Sequence, residues 1–177
     1  LLIGSLFAGS AMAAESSATD LPEESEVGTN FEATFELTDL FSEFETWTFA
    51  AGTELENATW TITQYDQAGS EVSRTETDGA NATQAVDISD GTSTIEVRVT
   101  GTTPGIETFS YDPPDRFVVA SFTQERVGGT DRDIGTHESH HYTAKSKEAR
   151  QAIDRASETV EGSGADDAQS SLDSAVS

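Results

Sequence analysis

The chain has 177 residues, no cysteine, and 33 acidic against 9 basic side chains, a formal net charge of −24. Without cysteine, disulfide staples and thiol catalysis are excluded, and without a basic patch to neutralise phosphates nucleic acid is excluded as a partner. No Lys or Arg precedes Arg74, so carboxylates repel one another along that stretch until salt screens them, to within about 10 Å at 0.1 M and about 3 Å at 1 M; a saline, halophilic setting suits such a chain.

Residues 1–13 open with the apolar run Leu1-Leu2-Ile3-Gly4-Ser5-Leu6-Phe7-Ala8 and end on Ala11-Met12-Ala13. This is the h-region and A-x-A site of a signal peptide, here incomplete because no basic n-region precedes it, and it predicts export with cleavage after Ala13. The run falls well short of the roughly 20 apolar residues of a membrane span. Residues 14–30 are small, acidic and without apolar period, with Pro22 and Gly28 as breakers, and are expected to form a disordered acidic leader.

From 31 to 127 the period is two. Phe31, Ala33, Phe35 and Leu37 alternate with polar neighbours, as do Trp60 and Ile62, and Ile95, Val97 and Val99, each the pattern of a half-buried strand. Residues 117–122 are apolar on both faces apart from Ser121 and suit a central strand; 46–50, 71–76, 83–88 and 107–111 are weaker candidates. Turn chemistry separates them: Ala51-Gly52, Asp78-Gly79, Asp90-Gly91, Thr103-Pro104-Gly105 and Asp112-Pro113-Pro114-Asp115. Seven or eight short strands at this spacing predict an immunoglobulin-like β-sandwich, with Trp60 or Trp47 as its central aromatic.

Residues 128–144 break the pattern and read as a polar junction. Beyond it, Ala149, Ala152, Ile153, Ala156 and Val160 fall at helical spacing, Gly162-Ser163-Gly164 ends that helix, and Asp166-x-x-Gln169 looks like a capping box opening a second one, with Ala168, Leu172, Ala175 and Val176 on one face. The expectation for 145–177 is therefore an α-helical hairpin with a truncated second arm. The acidic, Ala-rich segments 146–156 and 164–177 resemble the juxtamembrane helical hairpin of haloarchaeal secreted and cell-surface proteins. That resemblance implies a membrane anchor beyond Ser177.

Few residues stand out for chemistry. Asn57-Ala58-Thr59 and Asn81-Ala82-Thr83 are N-glycosylation sequons at predicted strand starts. His137, His140 and His141 are the only histidines; their crowding offers two or three imidazole nitrogens to a metal, but no His-Glu-x-x-His motif and no distant ligand accompany them, so they are weak metal candidates and a polar hinge is the preferred reading. The pairs Asp112/Asp115 and Asp87/Asp90 could offer oxygen to calcium, without the ligand number or glycine of an EF-hand loop. No Gly-x-Ser-x-Gly elbow or phosphate loop occurs, and no cofactor is implied. The reading is a non-enzymatic cell-surface glycoprotein, membrane-anchored, whose β-sandwich makes structural, adhesive or ligand-binding contacts with an unidentified ligand or envelope protein. The alternative is a secreted hydrolase or metal-dependent enzyme with its site on the β-domain loops and the His junction.

Overall fold

The computed structural model describes residues 14–163, with side chains described as far as Val160. Ten strands and one helix follow in the order β1 (Glu15–Asp20), β2 (Glu24–Glu26), β3 (Asn30–Thr38), β4 (Thr46–Gly52), β5 (Glu56–Asp66), β6 (Glu71–Asp78), β7 (Asn81–Asp87), β8 (Thr92–Thr102), β9 (Arg116–Glu125), β10 (Arg132–Tyr142) and α1 (Ala144–Ser163). They form two five-stranded sheets, β1-β3-β8-β5-β6 and β2-β10-β9-β4-β7. All pairings are antiparallel except that of β2 with β10.

The alternation legible in the sequence sets the core. Phe31, Ala33, Phe35 and Leu37 of β3, Trp60 and Ile62 of β5, and Ile95, Val97 and Val99 of β8 are buried from one sheet, and Trp47 and Phe49 of β4 with Phe117, Val119 and Phe122 of β9 meet them from the other. Rings interlock edge-on between the sheets: Phe31 with Phe117 at 5.4 Å and Phe35 with Phe122 at 5.2 Å between centroids, a geometry that aligns positive ring edges with negative faces. A one-residue slip of any of these strands would turn its apolar set to solvent, so burial fixes the register.

Several expectations are corrected. The β-sandwich itself is as expected, with β1-β3-β8-β5 facing β10-β9-β4 in the A-B-E-D and G-F-C strand order of an immunoglobulin-like sandwich, but its surroundings differ. The expected leader is structured, because β1 adds to the edge of β3 and the three-residue β2 to the edge of β10; backbone pairing, with Ala14 and Leu21 packed on the core, stands in for the apolar period that this stretch lacks. The expected junction is the eleven-residue β10. Past Ile134, which packs on the core, its inward positions are filled by His137, Ser139 and His141, which is why no apolar period announced it. Segment 107–111, expected as a strand, belongs instead to the loop between β8 and β9. Finally, the helical hairpin is a single helix among the described residues, and its expected second arm, 164–177, lies outside them.

The helix begins one residue after β10. Thr143 and Ser146 cap it reciprocally: the Ser146 N–H donates to Thr143 Oγ1 at 3.1 Å, and the Thr143 N–H donates to Ser146 Oγ at 2.9 Å, a capping box with Ser in the third position. Its half-covered residues include Ser146, Arg150, Ile153, Ser157 and Val160, whereas Ala149, Ala152 and Ala156 are exposed. The apolar face read from sequence is thus turned from the one the structure covers.

Strand directions give the sandwich two distinct ends. β1 starts opposite Thr38, at the end where the loops after β3, β5 and β7 lie. β10 finishes at the other end, where the 103–115 loop, both sequon asparagines and α1 gather.

Candidate ligand cleft

At the helix end, three elements distant in sequence enclose a cleft of about 1120 Å³: the 109–115 stretch of the β8–β9 loop, the last residues of β10, and the first turns of α1, with Glu24 of β2 on its floor. This is just above the roughly 300–1,000 Å³ usual for small-molecule sites.

Cations fasten the walls. The Arg150 guanidinium donates to the carbonyls of Ser110, at 3.1 Å, and Tyr111, and lies 4.8 Å from the centre of the Tyr111 ring. The Tyr111 hydroxyl donates to Asp154 Oδ1 at 2.6 Å; that bond, and the cost of removing the phenolate from water, hold its ionisation above the usual tyrosine range. One turn back, Lys147 is ion-paired with Glu24 and sits 4.1 Å from the centre of the Tyr142 ring, its pKa raised first by the bond to Glu24. The Ser110 N–H donates to Asp115 Oδ2 at 2.9 Å, closing the loop on itself. Cation–π contacts of this kind are worth about 0.5–1 kcal/mol when exposed, so together they restrain the tyrosine rings. Phe109, by contrast, stands 59 % exposed on the rim.

The three histidines do not converge. β-strand alternation sends His137 and His141 inward and His140 outward. His137 stacks on Phe35 at 4.7 Å, its Nε2 3.0 Å from Ser16 Oγ, with its pKa lowered by burial. His141 packs on Phe117 at 5.2 Å, its Nδ1 3.2 Å from the Pro104 carbonyl oxygen. His140 faces Glu24 at 3.9 Å across the cleft floor; burial is the main cause lowering its pKa, with Arg150 adding to that and Glu24 opposing it. Four residue steps along the strand separate His137 from His141, roughly 13 Å at ~3.3 Å per residue, too far to share an ion bound at about 2 Å. Among the described residues no group of three potential metal-ligating side chains comes together.

Asn57 and Asn81 are both exposed. Asn57 sits at a register shift of β5 with φ of 52°, a left-handed conformation that asparagine tolerates better than most residues. There β5 presses on Gly101, where a Cβ would lie 2.9 Å from the Glu56 carbonyl oxygen. Asn81 opens the edge strand β7 opposite Gly52.

The sequence motifs pointed to the histidines and sequons, and missed Phe109, Tyr111, Tyr142 and Arg150. The one available signal was charge: the chain's only lysines, Lys145 and Lys147, and Arg150 fall within six residues of a chain otherwise dominated by carboxylates.

No protein-family model matches the chain, and no curated protein matches it. Among solved structures it is similar to the sporulation control protein Spo0M of Bacillus subtilis, at 11% identity and a TM-score of 0.39, covering 84% of this chain and 56% of that one. It is also similar to a cohesin module of a family 33 glycoside hydrolase from Clostridium perfringens, at 11% identity and a TM-score of 0.34, over 74% of this chain and 98% of that one. A third likeness is to the alkylpurine DNA glycosylase AlkC of Pseudomonas fluorescens, at 10% identity and a TM-score of 0.34, over 73% of this chain and 30% of that one. The chain thus spans about half the length of the sporulation control protein, and likenesses this distant transfer neither a fold name nor an activity. The resemblance to haloarchaeal surface proteins is withdrawn with the hairpin that carried it: the described residues hold one helix, and no relative of that kind is found.

Proposed function

We propose that the protein is an exported, non-enzymatic β-sandwich module that works at the cell surface by contact. The observation that carries this reading is the path of the chain through the sandwich. β1 begins at one end, directly after Ala14, and α1 leaves from the other. Export processing after Ala13 would therefore release a chain whose first residue, Ala14, is 3 % exposed within the fold, and α1 leads away from the end opposite to it. Loops 39–45, 67–70, 88–91 and 126–131 are then presented away from the helix. Ile88 and Val127, exposed apolar side chains, lie among them.

Sequons on exposed asparagines suit the same setting, where glycosyl transfer takes place. A membrane anchor following α1 would complete the display. Among the described residues no helix is long and apolar enough to cross a membrane. The test is to fractionate cells that make the protein and sequence the N-terminus of the chain found outside. Recovery in the envelope or medium with Ala14 first is the expected result; recovery in the cytosol with residues 1–13 attached refutes the proposal.

A further inference from the structure

The cleft at the root of α1 is lined by side chains of both charges in near balance. Glu24, Asp112, Asp115 and Asp154 line it together with Lys145, Lys147 and Arg150, in a molecule whose overall charge is −24. Most of these charges are satisfied within the wall, Lys147 by Glu24, Arg150 by two carbonyls, Asp154 by Tyr111 and Asp115 by the Ser110 N–H, and exposed Asp112 and Lys145 add one charge of each sign, so no excess charge selects an ion. Interleaved donors and acceptors instead match a neutral ligand whose groups both donate and accept hydrogen bonds. The aromatic residues add shape: Phe109 is exposed on the rim with its ring open to solvent, and the Tyr111 and Tyr142 rings are held by Arg150 and Lys147. Restraint of this kind lowers the cost of ordering the site on binding. The polar residues Asp112, Lys145 and Gln151 are exposed along the cleft, while Tyr111, Asp154 and Arg150 are engaged with one another or with the loop backbone.

From this set we infer that the cleft binds a neutral oligosaccharide. A pyranose ring presents an apolar C–H face that packs on an aromatic ring, and a rim of hydroxyls that accept from Lys145 and Gln151 and donate to Asp112. The volume suits several rings rather than one. Phe109 is the stacking platform, and the fastened tyrosines form the wall against which the sugar lies.

The inference adds a ligand class to the surface module proposed above but rests on the cleft alone. Its test uses purified protein and is independent of where cells place it. Isothermal titration against neutral tetrasaccharides of glucose (β1,4 and α1,4), mannose and N-acetylglucosamine is compared with a tetragalacturonate and a neutral tetrapeptide, in high salt to screen the net charge. Saturable binding of at least one neutral sugar is expected, weakened at least tenfold by Phe109→Ala and severalfold by Asp112→Asn. Val127→Ala, at the other end of the sandwich, should leave it unchanged. Phe109 is exposed, so its replacement does not threaten the core. Binding of none of the sugars, binding of the tetragalacturonate or peptide alone, or sugar binding that Phe109→Ala leaves intact would each overturn the inference.

Discussion

The two tryptophans should respond unequally to the same substitution. Trp60 is fully buried on β5, and its indole N–H donates to the Gly79 carbonyl oxygen at 3.0 Å. Trp47 on β4 is 3 % exposed, and its indole nitrogen is buried without a hydrogen-bond partner among the described residues. Replacing either by Phe removes similar ring volume and opens a similar gap, so the cavity contribution is nearly common to both. The polar contribution differs. Trp60→Phe breaks a part-buried bond at a net cost of about 0.5–1.5 kcal/mol, the exposed Gly79 carbonyl turning to water instead. Trp47→Phe removes a buried donor that is already unsatisfied and recovers part of the about 1–3 kcal/mol such a group costs. Trp60→Phe should therefore be the more destabilising by about 1–3 kcal/mol. At about 2–4 °C per kcal/mol for a chain of this size, that is roughly 2–12 °C in Tm. Urea denaturation of both variants in high salt, followed by circular dichroism, gives the comparison directly. Equal destabilisation, or a larger loss in Trp47→Phe, would refute the assignment of Trp60 as the hydrogen-bonded anchor of the core.

Burial lowers the pKa of His137 between Phe35 and Phe122, so the unfolded chain takes up its proton first as pH falls below about 6.5. The stabilisation from keeping this imidazole neutral is thus complete above that pH and lost below it. His137→Gln should flatten the decline of the urea midpoint between pH 7 and 5, and an unchanged slope would contradict the burial. Gly101→Ala should cost about 1–3 kcal/mol by overpacking, since the added Cβ would meet the Glu56 carbonyl oxygen at 2.9 Å and Leu55 Cβ at 3.0 Å; denaturant unfolding measures it. Arg150→Ala should loosen α1 from the 109–115 loop, because the guanidinium bridges them through two carbonyls and the Tyr111 ring. Hydrogen exchange across α1 should then accelerate while β8 and β9 keep their protection.

What the sequence disclosed follows from where apolar side chains were spent. β3, β5 and β8 were legible because one face of each meets the opposite sheet, leaving period two in Phe31–Leu37, Trp60–Ile62 and Ile95–Val99. β10 was hidden because its inward row is His137, Ser139 and His141, kept by Ser16, the Pro22 carbonyl and the Pro104 carbonyl instead of by aliphatic packing. β1 and β2 are edge strands held by backbone pairing, a contribution that composition does not record. The covered stripe of the helix shares Ile153 and Val160 with the apolar face read from sequence, but the alanines of that face are exposed and Ser146, Arg150 and Ser157 complete the stripe instead, because Arg150 touches the loop between β8 and β9 through hydrogen bonds and a tyrosine ring. The cleft was illegible for a different reason: Phe109, Tyr142 and Arg150 meet only because the sheet brings β2, β10 and the β8–β9 loop together at one end.

Surface display is tested most directly by the chain's own chemistry. Its only lysines are Lys145 and Lys147, and Lys145 is exposed. A membrane-impermeant amine reagent applied to intact cells, with peptide mapping of the protein afterwards, should modify Lys145 to the same extent as in lysed cells. Modification of Lys145 only after lysis would place the module inside the cell and contradict the account.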